Sequence, residues 1–127
     1  MMPTRPRVLL ADDHAGVVRA LSRLLSFECD VVSTVSDGRE VATTAHALQP
    51  VVVVVDLNLP NVNGLDACRE ISANSPRARV IIISGMFDHD VAQAARMAGA
   101  TGAFDKAAMG DQLVAAIKEA WSGTSTG

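Results

Sequence analysis

The chain has 127 residues, 49% apolar and 20% charged, with a net charge of −3 and two cysteines. That length suits a single domain with its own core, and an acidic balance with no compensating basic run excludes an obligate nucleic-acid binder. No apolar run approaches the roughly 18 residues of a membrane span, and Cys29 and Cys68 lack zinc-ligand spacing, so they read as reduced, packed thiols of a cytoplasmic protein.

The N-terminal stretch MMPTRPRVLLADD reaches two aspartates too soon for a signal peptide. The two ends, MMPTRP and SGTSTG, read as short flexible tails (1–5 and 122–127) around a core of about 6–121. Within that core, apolar runs alternate with amphipathic segments. The first strand is predicted at Arg7–Ala11 (RVLLA) and runs into Asp12 and Asp13; Val17, Val18, Leu21, Leu24 and Leu25 then share one face of a helix. A second strand at Val31–Val35 ends in Ser36-Asp37-Gly38, a plain turn. Asp37 and Glu40 have the spacing of a capping box, with Asp37 as N-cap to a helix carrying Val41, Ala45 and Leu48. The third strand, Val51–Val55, is five valines that stop at Asp56. A third helix opens at Asn63 and presents Leu65, Cys68 and Ser72 (or Ile71). A fourth strand at Arg79–Ile83 leads to Ser84, and the helix of Val91, Ala94 and Ala98 stops at Gly99. A weaker fifth strand, Gly102–Asp105, leads to Lys106, and Leu113, Val114, Ile117 and Trp121 mark the last helix. The strands VVVVV and VIII do not alternate with polar residues, as expected for strands buried on both faces of a parallel sheet. The class is therefore α/β, a doubly wound (βα)5 domain with helices on both faces and right-handed crossovers.

In such sheets functional groups gather at the carboxyl ends of the strands. Here those ends supply Asp12, Asp13, Asp56, Ser84 and Lys106. Singly, each has an ordinary reading: an aspartate before a helix caps or turns, Ser84-Gly85 makes a tight turn, and a lysine after a strand is solvated. Together, three carboxylates at one edge repel one another unless a cation holds them. Oxygen ligands select a hard ion such as Mg2+ (or Mn2+), which shares its shell readily with a phosphate. A lysine and a hydroxyl suit the remaining phosphate oxygens. The chemistry indicated is phosphoryl transfer onto Asp56.

Four segments, LLADDH (9–14), VVDLNLPNVNGLDACREI (54–71), IIISG (81–85) and GATGAFDK (99–106), resemble in order the receiver domain of two-component response regulators, the chemotaxis-Y-like family. DLNLPNVNG fits that family's D-x-x-[LM]-P-x-x-[ND]-G pattern in full. The ADDH start and the non-proline residue after Lys106 resemble NarL/FixJ-type receivers most. The resemblance implies a sheet order of 2-1-3-4-5 and roles for single residues. Asp56 is the phosphoacceptor, charged by a phospho-histidine of a sensor histidine kinase or histidine phosphotransfer protein. Asp12, Asp13, Asp56 and the Asn58 backbone carbonyl serve Mg2+; Ser84 and Lys106 bind phosphoryl oxygens; Pro60 and Gly64 shape the loop after the third strand. Phosphorylation is expected to switch the face of the fourth helix, fifth strand and fifth helix (about Asp88 to Trp121), where a homodimer can form. The implied activity is a phosphoacceptor switch whose only catalysis is its own phosphorylation and dephosphorylation, without direct nucleic-acid or membrane binding by this chain.

Two positions depart from the family pattern. Ala103 stands where receivers place their switch aromatic, and strand parity puts Phe104 on the other side of the sheet; output then rests on Ser84, Met86 and backbone shifts, or on a register slip that brings Phe104 into play. Ala107 stands where many receivers have a proline, so a trans bond is expected. His14, His46 and His89 are scattered and read as surface or capping residues, with contact to the site as the alternative for His14, which follows the acid pair. Arg19 and Arg23 read as a solvated face, with a partner contact as the alternative, and Ala92–Ala100 as a small-residue packing face or a close dimer interface. Other functions fit less well. A haloacid-dehalogenase-like phosphatase wants its nucleophile after the first strand and an aspartate at the position of Asn58. A Rossmann-type nucleotide binder wants a glycine-rich turn where this chain has ADDHAG. Within the receiver reading, a stand-alone receiver and the receiver half of a NarL/FixJ-type DNA-binding regulator both remain open.

Overall fold

Every residue of the strand Val52–Asp56 is buried, and its valines part to opposite sides. Val53 and Val55 enter one apolar cluster, Val52 and Val54 another, which is why the run needs no polar alternation. Each fully buried valine contributes about 2 kcal/mol relative to exposure. The computed structural model that shows this describes residues 5–107 and 110–125.

Chain order is β1 (Arg7–Ala11), α1 (Ala15–Leu25), β2 (Asp30–Val35), α2 (Gly38–Leu48), β3 (Val52–Asp56), α3 (Gly64–Asn74), β4 (Arg79–Ser84), α4 (His89–Met97), β5 (Gly102–Asp105) and α5 (Gly110–Ser125). The sheet is parallel in the order β2-β1-β3-β4-β5, as expected. One face packs Leu9, Val53 and Ile82 under α2, α3 and α4, through Val41, Cys68, Ile71 and Ala95. The other packs Leu10, Val54 and Ile83 under α1 and α5, through Leu21, Leu25, Leu113 and Ile117. On α3 it is Ile71 that is buried, while Ser72 is exposed. Cys29 and Cys68 are buried free thiols, and burial raises both pKa values, which suits packing and disfavours thiolate chemistry.

Local signals set the helix starts. Asn63 caps α3 by accepting from Asp66 N, and Asp88 caps α4 by accepting from Val91 N. Asp37 caps α2, but its partner is Arg39 N rather than the Glu40 N of a capping box. The α4 helix ends as Gly99 takes a φ of 102°. The sequence-based tail at 122–127 needs correction, because α5 continues to Ser125. Once a helix is nucleated, each added Ser or Thr costs only about half a kcal/mol, so weak formers can extend its last turn. Residues 1–4, 126 and 127 of the expected tails lie outside the described residues, and among those described no helix is long and apolar enough to cross a membrane.

Asp37 ties α2 to the loop after β3. Its carboxylate pairs with Arg39 Nη2 at 2.9 Å and accepts from Asn61 Nδ2 at 2.6 Å. The Arg39 side-chain bonds above all, then the Arg39 backbone N–H, lower its pKa from 3.8 to about 2. A carboxyl whose folded pKa lies below its unfolded value contributes stability above the unfolded value and loses it as pH falls through the folded one. We expect Asp37→Asn, which keeps the cap but not the charge, to melt below wild type above pH 4. The gap should close between about pH 4 and pH 2, as thermal melts across that range will show.

Candidate functional site

The carboxyl ends of β1 and β3 lie side by side, and they bring Asp12, Asp13 and Asp56 together. Asp12 follows β1 directly and is held by its backbone N–H to Val35 O at 3.0 Å. Asp56 is the last residue of β3, one register step beyond Ala11↔Val55. The side chains of Asp12 and Asp56 are almost wholly buried, whereas that of Asp13 is 38% exposed. Lys106, just past β5, reaches across with Nζ 2.7 Å from Asp12 Oδ2 and 3.2 Å from Asp56 Oδ2. Burial works against its charge, but pairing with the two carboxylates outweighs that and raises its pKa.

One ammonium does not balance three carboxylates. The Oδ2 atoms of Asp12 and Asp56 are buried without an aligned hydrogen-bond donor, because Lys106 approaches them as an ion pair outside hydrogen-bond geometry. Three carboxylate oxygens, one from each aspartate, lie within 4.8 Å of one another together with a nitrogen of His14. Hard, closely spaced oxygen donors with an uncompensated charge fit a divalent cation.

Above Asp56 opens a cleft of about 300 Å³ lined by His14, Val17, Asp56, Asn58, Gly85 and Lys106. Its volume is ample for a group the size of a phosphoryl, and the buried Asp56 is part of its lining. A larger groove of about 350 Å³ runs along β5 and α5 past Arg79, Phe104 and Glu119, without converging carboxylates.

Asn58 is exposed on the cleft rim, and its N–H lies 3.3 Å from Asp56 Oδ1. Gly64 donates its N–H to Leu57 O, and a Cβ there would stand 2.6 Å from the Asp56 carbonyl oxygen, so the loop closes this tightly only with glycine. Pro60 turns the same loop back, its carbonyl accepting from Val62 N and from Gly38 N. Ser84 ends β4 fully buried, and its Oγ accepts from Met86 N at 3.1 Å, so in this state the hydroxyl serves the turn. Met86 itself is 81% exposed. Ala103 packs on the α4 side and Phe104 on the α1–α5 side, the parity expected for an unslipped β5. A cavity of about 310 Å³ beside Ala103, lined by Ala92, Ala95, Arg96, Ala100, Thr101 and Gly102, occupies the space a larger side chain would fill. Among the described residues no peptide bond is cis.

His14 is exposed and is the N-cap of α1, as expected, and its Nδ1 also reaches the site, 3.0 Å from Asp12 Oδ1 and 3.2 Å from Asp13 Oδ1, as its place directly after the acid pair allowed. One feature was not legible in the sequence. The end of β2, read as a plain turn, anchors the β3–α3 loop through Gly38 N to Pro60 O and Asn61 to Asp37.

The chain is similar to known proteins over most of its length. Residues 8–118 match the response regulator receiver domain family. The DNA-binding transcriptional activator DevR/DosR of Mycobacterium tuberculosis is 34% identical over 94% of this chain and 56% of its own length. The oxygen regulatory protein NreC of Staphylococcus haemolyticus is 32% identical over 92% and 55%. This chain thus spans about half the length of these curated relatives. Among solved structures, the signal receiver domain of NarL from Mycobacterium tuberculosis superposes with a TM-score of 0.89 at 25% identity, covering 95% of this chain and 99% of that one. A LuxR-family two-component response regulator from Aurantimonas sp. SI85-9A1 gives 0.88 at 31% identity, covering 94% and 86%.

Proposed function

Because the chain belongs to the response regulator receiver domain family of two-component signalling, we propose that Asp56 is its phosphoacceptor, charged from a phospho-histidine of a sensor histidine kinase or histidine phosphotransfer protein. The observation that carries this is a buried carboxylate opening into a cleft, with Lys106 Nζ at 3.2 Å. An Asp56 oxygen attacks phosphorus, the P–N bond breaks, and the donor imidazole leaves with its electron pair. Asp12, Asp13, Asp56 and the Asn58 carbonyl are the residues that would hold Mg2+ (or Mn2+). When bound, the ion neutralises charge on the transferring phosphoryl oxygens. Lys106 offers its ammonium to one phosphoryl oxygen. Ser84 offers its hydroxyl to another by turning away from Met86 N.

Phosphorylation adds about −1.5 to −2 charges at neutral pH and so biases any element that contacts the phosphate in only one of two states. With Ala103 unable to toggle, the signal leaves through Ser84 and the Ser84–Met86 turn into α4, and the output face is α4–β5–α5, on which a second copy docks. Asp56 turns over only its own acyl phosphate. A single domain of about residues 6–121 performs this, in the cytoplasm, as a stand-alone receiver or as the receiver half of a NarL/FixJ-type regulator whose DNA-binding part lies outside this chain.

Intact-mass measurement after exposure to a small phosphodonor with Mg2+ tests this reading. One added phosphoryl group is expected, mapping to the peptide that contains Asp56 and absent when the metal is chelated. Modification mapping to Asp12 or Asp13, or forming equally without metal, would overturn it.

A further inference from the structure

The phosphoryl-transfer scheme gives His14 no task, yet its ring stands among the carboxylates. His14 is the N-cap of α1, but its side chain makes no capping bond. Its Nδ1 lies 3.0 Å from Asp12 Oδ1, 3.2 Å from Asp13 Oδ1 and 3.9 Å from Asp56 Oδ2. Neighbouring ligands of a six-coordinate ion with bonds of about 2.1 Å stand about 3.0 Å apart. The imidazole nitrogen is therefore spaced from the Asp12 and Asp13 oxygens as a further ligand of the same ion would be. The Lys106 ammonium takes the Oδ2 atoms of Asp12 and Asp56 and stands 3.5 Å from Nδ1, while Nδ1 has its shortest contacts with the Oδ1 atoms of Asp12 and Asp13.

We propose that His14 is a nitrogen ligand of the cation site, making it a mixed nitrogen–oxygen centre that favours borderline divalent ions such as Co2+ and Mn2+ over Mg2+. This rests on the reading that Asp12, Asp13 and Asp56 hold a divalent cation. Without an ion, Nδ1 carries a hydrogen and donates it to Asp12 Oδ1, since a carboxylate only accepts. With an ion, the Nδ1 lone pair faces the metal and Nε2 carries the hydrogen, the neutral tautomer used in metal ligation. Imidazole favours later first-row ions, whereas Mg2+ gains little from it.

The test uses tag-free protein titrated with Co2+, followed by its visible absorption, and with Mg2+, followed by calorimetry. The preference for Co2+ over Mg2+, as the ratio of their Kd values, should fall about tenfold in His14→Leu and equally in His14→Gln. Pulsed electron paramagnetic resonance of bound Mn2+ should show nitrogen coupling in wild type and in His46→Leu and His89→Leu, but not in either His14 variant. A Co2+/Mg2+ ratio within twofold of wild type, or nitrogen coupling that persists without His14, overturns the proposal while leaving the cation site intact. Mg2+ binding that is absent from wild type, or unchanged in Asp13→Asn, overturns the cation site and the proposal with it.

Discussion

Asp56→Asn protein will take up no phosphoryl group, its labelling rate falling by at least about a hundredfold, and in the absence of divalent ions it will melt above wild type. The first half follows from chemistry. The amide oxygen is a poor nucleophile, and Asp12 and Asp13, although close, are not at the end of the strand that opens into the cleft. The second half follows from weighing charges. Asp56 is buried; Lys106 attracts it at 3.2 Å, while Asp12 and Asp13 repel it with ligand atoms within 4.8 Å. Two like charges at or inside 4.8 Å outweigh one opposite charge at 3.2 Å when compared as 1/r, and burial adds a desolvation cost to the same side. Asparagine keeps the volume and removes the charge. We expect a gain of about 1 kcal/mol, a rise of roughly 5 °C in Tm, read by differential scanning calorimetry in chelator. Added Mg2+ should raise the Tm of wild type more than that of the variant. A variant that melts below wild type in chelator would show that Asp56 is already fully compensated by its neighbours.

Gly38→Val should cost about 3 kcal/mol and lower Tm by roughly 10 °C. A Cβ at Gly38 would be driven into the carbonyl of Val62, a backbone group that cannot swing aside as a side-chain end can. The loop is held there on both sides, by Gly38 N to Pro60 O at 3.0 Å and by Asn61 Nδ2 to Asp37 Oδ2, with Asn61 in the left-handed region at φ 71°. Either α2 shifts off the sheet or residues 60–63 move outward. The second course displaces the loop that also carries Asn58, so weaker Mg2+ binding by the folded variant should accompany the loss of stability. Equilibrium urea unfolding and calorimetric Mg2+ titration read the two effects. A valine at this position that costs less than about 1 kcal/mol would mean the loop can retreat freely.

These two expectations also mark what could be read from the sequence. The all-apolar β3 was legible because burial on both faces removes the usual alternation, and its abrupt end at Asp56 located the sheet edge. Strand parity then assigned Ala103 and Phe104 to opposite sides, as found. Gly38 was not legible as a contact, because glycine after an N-cap aspartate looks like turn chemistry, and the carbonyl it must accommodate lies 24 residues away, at Val62. The exact contacts of His14 were out of reach for a similar reason. Its capping position was visible, but the direction of a ring with two free torsions is set by the charges around it. The length of α5 was missed because poor helix formers end helices only on average, and a preceding turn can carry them.

The division of β3 between two clusters reaches beyond packing. Among the described residues, the apolar side chains above the sheet and those below it form separate clusters, so Ile71 and Ile117 belong to different jigsaws. Substitutions on one face are therefore free to accumulate and compensate one another without reference to the other face. Over evolutionary time the two layers of such a protein can drift independently. The carboxyl edge, to which both faces contribute and where Asp12, Asp56 and Lys106 meet, is the boundary that neither layer can redraw alone.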